Sequence, residues 1–220
     1  MYQLRQVRAG LPNGGIDRKR QLGGRVSEAS WLFTLLEESA RAARMSTQPT
    51  KKVSVATVWL DGCSGCHMSL LDIDERIIEL ASVADIVYSP IVDTKIFPEQ
   101  VDLTIVEGSV SSEADLEKIK KIREHTRLLI SMGDCAITGN VPSLRNPFGT
   151  EKVLQHIYLR NAPSEVVPRI LPRVLPIHQV VKVDAVIPGC PPSADVLYFA
   201  LTELVAGRMP DLSDITRFGK

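Results

Sequence analysis

The sequence has no excess of charge and no long apolar run. Its 26 basic residues balance its 26 acidic residues, so the global charge gives no reason to expect binding to nucleic acid or to an anionic membrane. The longest apolar stretch near the N-terminus spans residues 31–36, whereas a membrane-spanning helix needs at least about 18 apolar residues. We therefore expect a protein with no nucleic-acid partner and no membrane span.

Cysteine is also scarce, with four residues in a chain of 220. The basic cluster at residues 18–20 does not present adjacent arginines before an apolar stretch, and residues 31–36 are not followed by a small-residue cleavage site. We recognise no export signal here and expect a cytoplasmic protein. Disulfides are rare in the cytoplasm, so the four cysteines are predicted to be metal ligands or catalytic thiols.

The chain is predicted to consist of an N-terminal extension, residues 1–50, and one folded domain, residues 51–220. Within the extension, residues 30–44 have the pattern of an amphipathic helix. Its apolar stripe consists of Trp31, Leu32, Leu35 and Leu36. A helix of this length is marginal alone in water, so we expect the stripe to pack on a neighbouring subunit or on the domain. Met45 leaves a second interpretation open, in which translation starts there and the extension is absent.

Within the domain, strand-like and helix-like segments alternate. Short segments rich in apolar and β-branched residues predict strands over residues 53–60, 85–88, 103–106, 128–131 and 180–187. Apolar spacing and capping serines predict helices near residues 70–80, 112–123 and 193–205. This alternation predicts an α/β fold with a doubly wound parallel sheet. Four prolines within residues 160–177 predict a stretch without regular structure.

The four cysteines lie directly after three of the predicted strands. They are Cys63, Cys66, Cys135 and Cys190. The carboxyl ends of parallel strands meet at one edge of an open sheet, and ligands bind there. We therefore expect three loops to bring the four thiols together, although 68 residues separate Cys66 from Cys135 and 54 separate Cys135 from Cys190.

Glycines accompany the cysteines in these loops. They are Gly62, Gly65, Gly133 and Gly189. Because glycine has no Cβ, these positions are expected to turn through positive φ and to let the backbone approach a cluster sulfide closely. Backbone amides exposed in this way donate hydrogen bonds to cluster sulfurs and so tune the reduction potential.

The residue chemistry alone leaves three kinds of site open. An iron–sulfur cluster uses all four cysteines and explains the flanking glycines. A thioredoxin-like redox pair uses Cys63 and Cys66 and leaves the other two cysteines without a role. Structural zinc sites usually use two close pairs of ligands, whereas this sequence has one such pair.

Four motifs occur in order along the domain: Cys63-Ser64-Gly65-Cys66, Val106-Glu107-Gly108, Gly133-Asp134-Cys135-Ala136 and Gly189-Cys190-Pro191-Pro192. Together they resemble the small-subunit family of [NiFe] hydrogenases, which includes the cluster-bearing subunit of respiratory complex I. Residues 71–76, with the sequence Leu-Asp-Ile-Asp-Glu-Arg, are most similar to the soluble NAD-reducing branch of that family. The resemblance covers roughly residues 51–212.

The resemblance implies a flavodoxin-like domain in which the four cysteines hold one proximal [4Fe–4S] cluster. It also implies two kinds of partner: a hydrogenase large subunit that carries the nickel–iron centre, and iron–sulfur and flavin subunits of a diaphorase that reduces NAD. The chain would then transfer electrons, and the catalytic centre would lie in another chain. The flavodoxin-like fold also raises FMN as a further cofactor, although cysteines occupy the loop in which flavodoxins hold phosphate.

The sequence departs from the family pattern around the first two cysteines. Ser64 and Gly65 separate cysteines that are adjacent in complex I subunits, which favours a hydrogenase. His67 and Met68 stand where many hydrogenase small subunits have a glutamate two residues after the pair. We interpret His67 as a hydrogen-bond donor to a cluster sulfur or to a partner, or else as a solvated loop residue. Glu107 is either a member of a polar or proton-relay network or a carboxylate bonded to loop amides.

Two functional hypotheses of different classes follow. The first is an electron-transfer subunit of a cytoplasmic, NAD-reducing hydrogenase, with a variant in which the hydrogenase serves another electron acceptor. The second is a stand-alone thiol–disulfide oxidoreductase that acts through Cys63 and Cys66. Iron content separates the two, because only the first requires a cluster.

Overall fold

The structure, a computed structural model, describes residues 51–216, so the helix and apolar stripe expected at residues 30–44 lie outside the described residues. The strands are β1 (Val53–Trp59), β2 (Ala84–Tyr88), β3 (Val101–Glu107), β4 (Val110–Ser112), β5 (Thr126–Met132), β6 (Ile170–Leu175) and β7 (Ala185–Ile187). The helices are α1 (Gly65–Leu71), α2 (Arg76–Val83), α3 (Glu113–Glu124), α4 (Asp134–Thr138), α5 (Asn140–Ser143), α6 (Thr150–Tyr158) and α7 (Ala194–Val205). Within this part of the chain, no helix has the length and apolarity needed to cross a membrane.

Five strands form a parallel sheet in the order β2-β1-β3-β5-β7. The chain starts at β1, moves outward to β2, returns to β3 on the other side of β1, and continues through β5 to β7. The sheet is therefore wound in both directions, and the predicted doubly wound α/β architecture is confirmed. Because the strands are parallel, the loops that follow β1, β3, β5 and β7 all leave from the same edge.

Helices cover both faces of the sheet. Successive residues of a strand face opposite sides, so Ile105 of β3 packs with α1, α2 and α7, while Val106 packs with α3. Both residues are almost completely buried. A strand covered on both faces carries a nearly continuous apolar run, which is why the central strands were readily predicted from the sequence.

The proline-rich stretch at residues 160–177 differs from the prediction, because it contains β6. This strand pairs antiparallel with β4 in a separate two-stranded sheet. Pro172 is tolerated there because a strand at a sheet edge has one side that needs no ladder hydrogen bonds. The predicted strand over residues 180–187 is also wrong over most of its length, since only Ala185–Ile187 pairs with β5.

The helix predicted near residues 70–80 is interrupted. Helix α1 ends at Leu71 and α2 begins at Arg76, with Asp74 at a φ of 55° in the turn between them. The apolar spacing continues through this turn because Ile73 is buried in the core. The spacing therefore indicates which side faces the core but does not reveal the break in the helix.

Replacing Ile105 with alanine is expected to lower the free energy of unfolding by about 2–5 kcal/mol, because it leaves a cavity beneath the helices. The matched control is Ile78→Ala on α2, where the side chain is 74% exposed and the expected change is within about 0.5 kcal/mol. Urea unfolding midpoints of the two variants, followed by circular dichroism on anaerobically purified protein, check the prediction. Equal midpoints would contradict the assignment of Ile105 to the core.

Candidate functional site

Three loops at the carboxyl edge of the sheet carry the four cysteines, as the sequence predicted. Cys63 lies in the loop after β1, and Cys66 lies in the first turn of α1. Cys135 lies in the first turn of α4 after β5, and Cys190 follows β7. All four thiols are free; Cys66 is buried, Cys135 is half-buried, and Cys63 and Cys190 are exposed. The site is thus open to solvent or to a partner on one side.

Cys66 and Cys135 each have a raised pKa, and neighbouring cysteines contribute to the rise in both. Burial raises the pKa of the Cys66 thiol to about 12, with Glu107 and the other three cysteines contributing to the rise. Burial also raises the pKa of Cys135, again with contributions from Cys190 and Cys63. Four thiolates therefore need compensating positive charge at this edge, and bound metal ions supply such charge to coordinating thiolates.

Gly133 leaves the space that the buried thiol occupies. A Cβ placed at this residue would lie 2.2 Å from the Cys66 Sγ atom, which is far inside van der Waals contact. Gly133 also has a φ of 83°, a conformation that glycine adopts without a steric penalty. Gly189 has positive φ as well. The predicted conformation is therefore confirmed at these two glycines, and Gly133 is further required by the Cys66 sulfur.

The prediction of positive φ is wrong for Gly62 and Gly65, because neither has a φ in the left-handed region. The left-handed residue of this loop is Ser64, with a φ of 64°. Gly65 instead donates its backbone N–H to the Cys63 Sγ atom at 3.4 Å. A Cβ on Gly62 would lie 3.3 Å from the Cα atom of Gly108. These glycines therefore allow close approach to a sulfur and to a neighbouring backbone.

His67 and Glu107 form a buried pair directly behind the first two cysteines. The Oε2 atom of Glu107 accepts a hydrogen bond from the backbone N–H of His67 at 3.0 Å and another from Nδ1 of its ring. Since a carboxylate accepts, Nδ1 carries the proton in this arrangement. The solvated interpretation of His67 is wrong, because it is 1% exposed. Glu107 does accept a backbone N–H, but from His67 in the first turn of α1 and not from a loop, and it also pairs with the His67 ring. The interpretation of Glu107 as part of a proton relay stays a prediction.

The far side of the His67 ring has no hydrogen-bonding partner in the described part of the chain. The Nε2 atom of His67 and the Nε1 atom of Trp59 are both buried and unpaired among residues 51–216. The two rings meet edge to face, with their centroids 5.1 Å apart. Trp59 therefore holds the imidazole by packing, and Glu107 holds it by hydrogen bonding.

Asp134 joins the loops that carry Cys135 and Cys190. Its backbone N–H donates to the carbonyl of Gly189 at 2.9 Å, and its Oδ1 atom accepts from the Gly189 N–H at 2.8 Å. In the sequence, Asp134 belonged to a recognised motif but had no assigned role. Its position between a glycine and a cysteine directly after a predicted strand was the one available signal, since an aspartate in such a turn commonly accepts backbone N–H groups.

Two more side chains connect the loops and were not identified from the sequence. Ser69 of α1 donates its hydroxyl to the carbonyl of Pro192, which follows Cys190 by two residues. Asn140 donates its side-chain N–H toward the Cys190 Sγ atom at 3.3 Å. A serine within a helix and an asparagine at the start of a helix are both common, so no sequence pattern distinguished them. The three cysteine loops are thus linked into one unit.

The arrangement of these groups differs from that of a single-ion site. Among residues 51–216, no set of three or more histidine, cysteine, aspartate or glutamate side chains is arranged to hold a single metal ion. A Zn²⁺ ion draws its sulfur ligands to about 2.3 Å, so they must converge on one point. A [4Fe–4S] cluster binds its thiolates through different iron atoms, so its ligands surround a larger body. Four free thiols on three loops match the all-cysteine donor set that such a cluster uses.

The part of the chain that carries the cysteines matches a known protein family. Residues 63–204 match the family described as the 20 kDa subunit of NADH ubiquinone oxidoreductase. This range begins at the first cysteine, contains the other three, and ends near the end of α7. The chain belongs to this family.

Two similar proteins are named as hydrogenase subunits. The NAD-reducing hydrogenase HoxS subunit delta of Cupriavidus necator is 41% identical over 179 residues, which cover 76% of this chain and 86% of that one. The iron-sulfur subunit of the F420-non-reducing hydrogenase of Archaeoglobus profundus is 26% identical over 184 residues, covering 72% of this chain and 57% of that one. The chain therefore spans little more than half of the Archaeoglobus relative.

A solved structure is similar over the same region. A chain in the crystal structure of an NAD⁺-reducing [NiFe]-hydrogenase in the H2-reduced state matches with a TM-score of 0.72 and 36% identity, covering 76% of this chain and 99% of that chain. The protein is thus homologous to a subunit of an NAD-reducing [NiFe] hydrogenase. The family indicated by the four sequence motifs is confirmed.

Proposed function

We propose that this chain is the electron-transfer small subunit of a cytoplasmic, NAD-reducing [NiFe] hydrogenase, and that Cys63, Cys66, Cys135 and Cys190 hold one [4Fe–4S] cluster. When bound, the cluster would supply a one-electron carrier between the nickel–iron centre of a large subunit and a diaphorase. The residues of this chain would hold the thiolates in place, while hydrogen would be split in the large subunit. In this proposal residues 51–220 form the cluster domain and residues 1–50 form an extension.

The observation that carries the proposal is the convergence of four free thiols from three distant loops. Burial and mutual repulsion raise the pKa of Cys66 and Cys135, which is unfavourable for thiolates unless metal charge is bound among them. A thioredoxin-like pair would need Cys63 and Cys66 alone. It would leave the proximity of the other two thiols, and the space that Gly133 leaves for Cys66, without a purpose.

The surface next to the cysteines has the exposed apolar side chains expected of a contact with a partner subunit. Three large apolar side chains follow Asn140, which contacts Cys190. They are Val141, Leu144 and Phe148, and each is more than 60% exposed. Exposed apolar groups beside a functional site mark interaction surfaces. We assign this surface to the large subunit, where it would also exclude water from the cysteine edge.

Two further parts of the proposal concern the final electron acceptor of the complex and the presence of FMN in this chain. NAD is proposed because the Cupriavidus subunit and the similar structure are named as NAD-reducing. The Archaeoglobus relative is named F420-non-reducing, which keeps another acceptor as the second candidate. We propose no FMN in the loop after β1, because the buried carboxylate of Glu107 lies directly behind that loop and would repel a flavin phosphate.

Iron and acid-labile sulfide analysis of the anaerobically purified complex, combined with electron paramagnetic resonance, tests this function. We expect about four iron atoms and about four sulfides for this chain, counted after subtracting the clusters assigned to the other subunits. We also expect reduction of NAD by hydrogen in the same preparation. A chain that contains no iron and keeps a reversible Cys63–Cys66 disulfide would favour the thiol–disulfide oxidoreductase, and one zinc ion per chain would favour a structural site.

A further inference from the structure

Helix α1 carries Cys66 in its first turn, and this turn has no cap from its own N-terminal residue. Backbone N–H groups at a helix N-terminus stay unpaired unless a side chain or another group accepts them. Ser64 occupies the N-cap position with a φ of 64°, and its hydroxyl makes no capping hydrogen bond. The Cys63 Sγ atom accepts the N–H of Gly65, so it is the N–H of His67 that needs an acceptor from another part of the fold.

Glu107, the last residue of β3, supplies that acceptor. A single oxygen, Oε2, accepts from the backbone N–H of His67 at 3.0 Å and from Nδ1 of the same residue. His67 directly follows Cys66 in α1. One oxygen atom thus fixes both the backbone and the side chain next to a cysteine, and the side chains of the pair are only 2% and 3% exposed.

The backbone that carries Glu107 is itself held against the cysteine loop. Asp61, in the loop after β1, donates its N–H to the Ser109 carbonyl at 3.0 Å and accepts from the Ser109 N–H at 2.7 Å. Gly108 lies between Glu107 and Ser109 in the sequence, and a Cβ on Gly108 would be 2.8 Å from the carbonyl oxygen of Asp61. Glu107 therefore reaches α1 from a backbone that has no room to shift.

We propose that Glu107 is a positioning residue for Cys66, because it caps α1 and orients His67. This inference rests on the proposed function, since the sulfur so positioned is a cluster ligand there. The role depends on the reach of the side chain rather than on its charge, because both hydrogen bonds end on one oxygen. Removing a side chain that holds a metal ligand in place typically costs about 10–100-fold in metal affinity.

Substitutions at Glu107 in the complete, anaerobically purified complex test whether the length of the side chain or its negative charge is required to position Cys66. Glu107→Gln keeps the length and an oxygen that can accept both hydrogen bonds, but it removes the charge. Glu107→Asp keeps the charge but is one methylene shorter, and Glu107→Ala removes both. His67→Ala removes the ring and leaves the backbone hydrogen bond. The matched control is Glu117→Gln, at an exposed position of α3.

Two measurements are informative: the rate at which a chelator removes iron, and the electron paramagnetic resonance line shape of the reduced cluster. We expect iron release to be at least about tenfold faster in the Glu107→Asp and Glu107→Ala variants, with altered g values. Glu107→Gln and Glu117→Gln are expected to match the wild type in both. His67→Ala is expected to fall between the wild type and Glu107→Ala.

The opposite ranking would overturn the proposal. If Glu107→Asp matched the wild type and Glu107→Gln behaved like Glu107→Ala, charge rather than position would be the requirement. Wild-type iron release in Glu107→Ala would also refute it. Should the aspartate and alanine substitutions prevent assembly, Glu107→Gln decides alone: a native line shape supports positioning, and a lost cluster refutes it. A wild-type chain without any cluster would instead refute the proposed function, so the two failures are distinguishable.

Discussion

Replacing Gly133 with alanine is expected to abolish cluster binding almost completely. The added Cβ would lie 2.2 Å from the Cys66 Sγ atom, so the sulfur or the loop must move. The loop has little freedom, because Asp134 is hydrogen-bonded to Gly189 in both directions. Iron in this chain should fall from about four atoms to well below one, as measured by iron and sulfide analysis of the purified complex.

Gly149 provides a closely matched control for this substitution. It precedes a helix, as Gly133 does, and its φ and ψ of 83° and 147° are close to the 83° and 160° of Gly133. No atom lies within 4 Å of a Cβ added there. Gly149→Ala should therefore impose a similar backbone cost, of about 1–3 kcal/mol, and leave iron content unchanged. Equal iron loss in both variants would attribute the effect to backbone strain instead of to the lost space.

Serine in place of Cys135 or Cys190 is expected to remove the cluster or to leave one with fewer iron atoms, because thiolates are the ligands that hold such clusters. The alternative thiol–disulfide oxidoreductase makes the opposite prediction, since it uses neither of these cysteines. Iron content and the electron paramagnetic resonance spectrum of each variant distinguish the two.

The corresponding substitutions Cys63→Ser and Cys66→Ser complete the comparison. A four-ligand cluster predicts a similar loss of iron from all four variants. A redox pair instead predicts loss of the reversible disulfide in the Cys63 and Cys66 variants alone. An unchanged spectrum in Cys135→Ser or Cys190→Ser would show that the four-ligand assignment is wrong. Circular dichroism of each variant checks that the sheet is still formed.

The sheet and the location of the cysteines were predictable from sequence because both depend on local patterns. Strands β1 and β3 are buried on both faces, so their apolar runs are unmistakable. Once the strands were placed, the rule that parallel strands end at a common edge brought the cysteines together without knowledge of any contact. The order of the strands in the sheet was not predicted and comes from the structure.

The contacts that hold the site were not predictable, because they join residues far apart in sequence. Glu107 and His67 are separated by 40 positions, and Asp134 and Gly189 by 55. The identity of a carboxylate does not indicate which backbone N–H it accepts. Strand β6 was missed for a related reason: Pro172 within it and the prolines around it argue against a strand, and only its pairing with β4 at an edge makes Pro172 acceptable.

The cysteines are distributed over several strands of the sheet, so the four thiols come together only when those strands have paired. The fourth thiol follows β7, which is the last strand of the chain to join the sheet and lies at its outer edge. A chain in which β7 has not paired with β5 presents three thiols at most in their final positions. Because metal binding and folding stabilise each other, a cluster bound as proposed would be held firmly only by a chain whose sheet is complete to its outer strand.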